Sequence, residues 1–120
     1  MKKALLILTS TALLASCKKD DGLQTAQQSL NATVKQGVFY EYPLGTFGDE
    51  ESASIPMQAV NFDTSEIQFD KNRINAVYRY LPAKGFTGTD EVVIRSERGS
   101  NGASAGNNII ITRIRLTVTP

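Results

Sequence analysis

Histidine is missing from this chain of 120 residues, and cysteine occurs once. The commonest general acid–base side chain is therefore unavailable. Zinc sites built from cysteine and histidine are excluded on the same count, and a lone cysteine cannot close an internal disulfide. Neither sign of charge is in excess, with 13 basic against 12 acidic side chains, so nothing favours a nucleic-acid partner. No glycine-rich phosphate loop precedes a helical pattern. What remains for catalysis is a pair of carboxylates brought together by folding, which would still need a cleft. The expectation is a protein that is not an enzyme and carries no cofactor.

The single cysteine is the most informative residue present. Lys2 and Lys3 precede an apolar run from Ala4 to Leu14, small residues follow, and Leu14-Ala15-Ser16-Cys17 closes the segment. A stretch of eleven residues is far shorter than the ~20 a helix needs to span a bilayer, so the layout is that of a cleaved export signal. Leu14-Ala15-Ser16-Cys17 resembles the lipobox of bacterial lipoproteins. The resemblance implies cleavage between Ser16 and Cys17, a thioether-linked diacylglyceryl group on Cys17, and attachment to a membrane by two or three acyl chains, enough for stable anchoring. After it, Lys18 stands where some inner-membrane lipoproteins have aspartate, which favours the outer membrane. Lys19-Asp20-Asp21 looks like the lysine-plus-acidic export signal of surface lipoproteins in Bacteroidetes-type bacteria, or it simply begins a solvated tether.

Removal of residues 1–16 takes two lysines with it and turns a basic excess of one into an acidic excess of one. The remainder has the length of one domain. Asp20 to Ser29 is polar and glutamine-rich, so residues 17–29 are expected to be the lipidated cysteine and a tether, holding the domain on the order of 15–20 Å from the lipid if flexible. A short helix competes, since Leu23, Ala26 and Leu30 fall at three- and four-residue steps.

Beyond residue 30 the pattern alternates. Ile110, Thr112, Ile114, Leu116 and Val118 share one face of a strand, and Arg113, Arg115 and Thr117 the other. Val92 and Ile94 oppose Glu91 and Arg95. Ala76, Tyr78 and Tyr80 oppose Val77 and Arg79. Further strands are expected at Leu30–Val34, Val38–Tyr42, Ile55–Phe62 and Glu66–Phe69, with turn residues between them. About seven short strands over residues 30–120 predict an all-β, immunoglobulin-like sandwich.

The run Tyr78 to Ile94, with Pro82, Phe86 and Gly88-Thr89-Asp90, resembles the signature of bacterial immunoglobulin-like and cadherin-like repeats. Each residue has a mechanical duty. Pro82 ends a strand, Phe86 folds over the core as a plug, Gly85 and Gly88 permit the path, and Asp90 accepts amide hydrogen bonds in the turn. Some cadherin-like relatives bind calcium, which makes Asp90 and Glu91 weak ligand candidates. No dense acidic loop stands ready to supply six to eight oxygens.

Two surface stretches could recognise a partner. Ser100, Asn101, Asn107 and Asn108 belong to a long loop without large apolar residues, either a recognition loop or a plain connector. Gly45 to Ser52 is acidic around Phe47, either a site for a cation or basic partner or a hydrated turn. The sequence therefore predicts a lipid-anchored outer-membrane module, facing the exterior, that binds a protein or glycan partner without catalysis. Alternatives are a structural subunit that assembles through edge strands, and a small carboxylate-dependent hydrolase.

Overall fold

The structure, a computed structural model, describes residues 24–99 and 107–120. Seven strands run in order: β1 (Gln24–Lys35), β2 (Tyr40–Thr46), β3 (Ser52–Met57), β4 (Phe62–Phe69), β5 (Asn75–Pro82), β6 (Gly88–Arg98) and β7 (Asn108–Thr119). They form a four-stranded sheet, β1-β7-β6-β3, and a three-stranded sheet, β2-β5-β4. All neighbours are antiparallel except β1 and β7, which run parallel. The chain is an all-β sandwich of seven strands in two sheets, in which the first strand pairs in parallel with the last.

The alternation in β5, β6 and β7 dictates the core. Tyr78, Tyr80, Val92, Ile94, Ile114 and Leu116 are fully buried, and each contributes roughly 1.5–3 kcal/mol by leaving water. Val34, Ala59 and Val118 complete the cluster. Thr112 is also buried, on the inward face of β7 and within 2.8 Å of the Gln28 amide that donates to it. Phe86 packs against the cluster as the expected plug. Gly88 has a φ of +131°, a backbone conformation that residues with side chains rarely adopt, and this calls for glycine there; a Cβ would meet the Phe86 ring only at the ordinary contact distance of 3.5 Å.

Two expectations change. Residues 24–29 are strand, not tether: β1 begins at Gln24 and pairs residue for residue with β7 up to Lys35. Its first half is polar because the opposite sheet does not cover it, and the open edge of β7 supplies the ladder. The single strand expected over 55–62 is two strands, since β3 ends at Met57 and β4 begins at Phe62. Pro56 and a register shift between Ser54 and Met57 break the run. Cys17, Ser16 and the triplet Lys19-Asp20-Asp21 lie outside the described residues. Among those described, no helix is long and apolar enough to cross a membrane.

Candidate functional site

The sandwich has two unlike ends. At the near end the chain comes in: the Gln24 amide donates to Asn107 O at 2.8 Å, beside residues 47–51 and 70–74. The far end carries residues 36–39, 58–61 and 83–87. Strand β1 separates the ends by roughly 40 Å, at about 3.3 Å per residue.

The far-end loops are laced together. Asp90, only 5% exposed, sits just inside β6. Its Oδ1 accepts from the Val60 and Glu91 amides, each at 2.9 Å, and its Oδ2 from the Asn61 amide at 2.8 Å. The Tyr80 hydroxyl lies 3.0 Å from both Asp90 Oδ2 and Asn61 O. Burial first, and then the hydrogen bond and charge of Asp90, hold the Tyr80 phenol above its ordinary pKa. Asn61 O also accepts the Ala83 amide at 3.0 Å, and the Gln36 side chain donates to Phe86 O at 2.7 Å. Beneath the loop, Gln58 caps the Ala59 amide and meets Ser65, whose hydroxyl is 2.7 Å from that of Tyr78.

This stiff frame displays apolar side chains. Of the five large hydrophobic residues that stand exposed among the described residues, Val38, Phe39, Met57 and Val60 are at or toward the far end, and Val60 is 80% exposed. Met57, Val60, Asn61, Glu91 and Arg115 line a groove of about 420 Å³, and Gln36, Asp63, Pro82 and Lys84 line another of about 390 Å³. Phe39 lies under the Arg79 guanidinium, 4.0 Å from the ring centre, and Arg79 also pairs with Glu41 at 3.0 Å. Aromatic and aliphatic groups held on rigid backbone are what a recognition surface uses as anchors.

The near end is built differently. Arg98 covers the Phe47 ring at 3.6 Å while donating to Leu44 O and Thr46 O; Phe47 meets Phe69 edge-on at 5.7 Å, and Arg73 lies 5.5 Å from the Phe69 centroid. The expected acidic stretch is thus anchored on a buried phenylalanine. Glu51 accepts from the Gly48 amide at 2.7 Å and the Gly99 amide at 2.9 Å, while Asp49 and Glu50 are exposed. Asp70 caps Ile74 N at 2.8 Å, which lowers its pKa, with help from the Asn75 side chain. Arg73 takes a left-handed φ of 56°, rare for a residue with a side chain.

The sequence-chosen residues scatter across this frame. Asn107 and Asn108 are exposed at the near end, while Ser100 and Asn101 lie outside the described residues. Asp90 is ringed by N–H and O–H donors, a setting made for an anion, and Glu91 pairs with Arg113. Among the described residues no three Asp, Glu, Cys or His side chains converge in a way that could hold a metal. The sequence places Val38 and Phe39 in an expected strand over 38–42 and Met57 and Val60 in one over 55–62, so neither expectation marks their outward display. The flanking Gln58 and Asn61, polar within an apolar stretch, were the available hint.

No protein-family model and no curated protein matches the chain. Among solved structures, two chains of an endo-fucoidan hydrolase of glycoside hydrolase family 107 are similar at TM-score 0.49 and 16% identity. The match covers 76% and 75% of this chain but 12% of each hydrolase chain, so this chain spans a small part of their length. A cysteine protease inhibitor from Entamoeba histolytica is similar at TM-score 0.39 and 12% identity, over 79% of this chain and 97% of the inhibitor. Likeness at this level carries no argument about what this chain does.

Proposed function

We propose that this chain is an outer-membrane lipoprotein whose sandwich acts as a non-catalytic binding module on the cell exterior. The anchor is Cys17, seven residues before Gln24. A lipid there attaches the near end to the leaflet and leaves the far end as the part most remote from it. The observation that carries the reading is the segregation of Val38, Phe39, Met57 and Val60 toward the end opposite the incoming chain, on loops fixed by Asp90 and Gln36. The partner is a protein or glycan that offers an apolar surface to these side chains, with Arg115, Glu91 and Lys84 at the rim for orientation.

The test has two arms. Cells producing the full chain are fed a labelled fatty acid: label on the chain, lost with Cys17→Ser together with sedimentation in the envelope fraction, is the expected result, and an unlabelled protein still bound to envelopes removes the anchor. The same cells are probed with arrays of matrix glycans and envelope proteins. A ligand whose binding falls at least about tenfold with Val60→Asp, and is unchanged by Ile74→Asp at the near end, is expected. Equal loss at both ends, or no ligand retained, removes the recognition role.

A further inference from the structure

Four strands lie at sheet edges, and three of them are guarded. In β2, Pro43 stands at a register shift; in β3, Pro56 lies within one; β4 has a shift between Phe62 and Thr64 and carries Asp63 and Glu66. Proline, bulges and charge are the ordinary means by which edges refuse another strand. Strand β1 has none of them. Its twelve residues stay in unbroken register with β7, hold no proline or glycine, and bear no charge before Lys35. Among the described residues nothing pairs with its outer side.

The polarity of that outer side follows from two hydrogen bonds. Gln24 N donates to Asn107 O and Gln36 N to Thr119 O, so even-numbered residues turn their amides toward β7. Thr25, Gln27, Ser29, Asn31, Thr33 and Lys35 therefore direct both N–H and C=O outward. We infer that this edge binds the same edge of a second copy of the chain, as an antiparallel β1–β1 pair centred on Leu30, joining two four-stranded sheets into one.

Symmetry selects that register. Two equal edges related by a two-fold axis can satisfy each other antiparallel, whereas a parallel pair would ask one carbonyl to accept what its symmetry mate assigns elsewhere. Centring on Leu30 sets Thr25 against Lys35 of the partner subunit, Gln27 against the partner's Thr33, and Ser29 against the partner's Asn31. All outward groups are then paired, in about twelve hydrogen bonds. No like charges oppose, and on the inward face Leu30 meets its own mate at the axis. The far-end loops stay uncovered at the two extremities of the pair, but each near end lies beside its partner's far end, so two copies anchored to one leaflet would lie along it and only an unpaired copy holds its far end outermost.

Sedimentation of the full chain carrying Cys17→Ser, from about 1 to 500 µM, reads the association directly; a polar interface of this size belongs in the weaker part of the range. A reversible dimer is expected. Ser29→Pro removes an outward donor that the fold does not use and should give a monomer with an unchanged melting temperature. Ser29→Lys combined with Asn31→Lys faces lysine with lysine twice and should weaken association at least about tenfold. Ser29→Lys combined with Asn31→Glu pairs opposite charges and should restore it to within about threefold. Leu30→Cys should cross-link into dimers on oxidation and Gln27→Cys should not, because residue 27 faces residue 33. A monomer at every concentration overturns the inference, as does a dimer indifferent to the charge pairs or one that cross-links better through residue 27.

Discussion

Asp90 holds Val60 in place: the most buried carboxylate of the far end accepts, at 2.9 Å, the backbone amide of its most exposed hydrophobic residue. The two are thirty positions apart, and the bond fixes a loop that has no regular structure of its own. Asp90→Ala would leave the amides of Val60 and Asn61 without their acceptor and the Tyr80 hydroxyl with Asn61 O alone. The expected loss is about 3 kcal/mol in urea unfolding, with faster hydrogen exchange at the 60 and 61 amides. Asp90→Asn should lie between, because its NH₂ faces donors. An Asp90→Ala protein as stable as the parent would mean that water replaces the carboxylate at no loss.

Arg98 ties the two sheets at the other end. Its guanidinium donates to two carbonyls of β2 and covers Phe47, so its role is planar and multidentate. Arg98→Ala is expected to lower stability by about 2 kcal/mol, and Arg98→Lys should recover little of it, since an ammonium cannot span both carbonyls while stacking on the ring. Thermal unfolding of the pair of variants decides the point. Full recovery by lysine would reduce the contact to simple charge.

How far the sequence revealed this depended on whether a residue's duty was local. Ile114, Leu116 and Val118 announce their strand because one face is buried and the other wet. Tyr78 and Tyr80 could be placed for the same reason, and Phe86 through the resemblance of the run that contains it. Gln24 to Ser29 gave no such sign: neither face is well covered, and the ladder to β7 joins residues more than eighty positions apart. The acceptor role of Asp90 was legible, but its target was not, because the amides it holds come mostly from the β3–β4 loop and not from its own turn. Met57 and Val60 read as strand interior within 55–62, and only folding turned them outward. The candidate site is therefore the least legible part of the chain.

Tyr78 makes the interior sensitive to alkali. Its phenol is fully buried and 2.7 Å from Ser65 Oγ; burial pushes the pKa from 10.0 up to about 12, Ser65 pulls it down in part, and the negative charge of Asp90 adds to the rise. In the unfolded chain the same group ionises near 10.0. Its contribution to stability is thus whole below pH 10 and is lost as the pH climbs through the folded value, because only the unfolded state gains the anion. Tyr78→Phe removes that linkage together with one hydrogen bond. At pH 7 the variant should be less stable by about 1 kcal/mol. Between pH 9 and pH 12 the gap should close or reverse, although Tyr80, shifted the same way, keeps some alkaline slope in both proteins. Urea titrations of the two proteins at several pH values measure the gap, and a difference that stays constant to pH 12 would show that Tyr78 ionises equally well folded and unfolded.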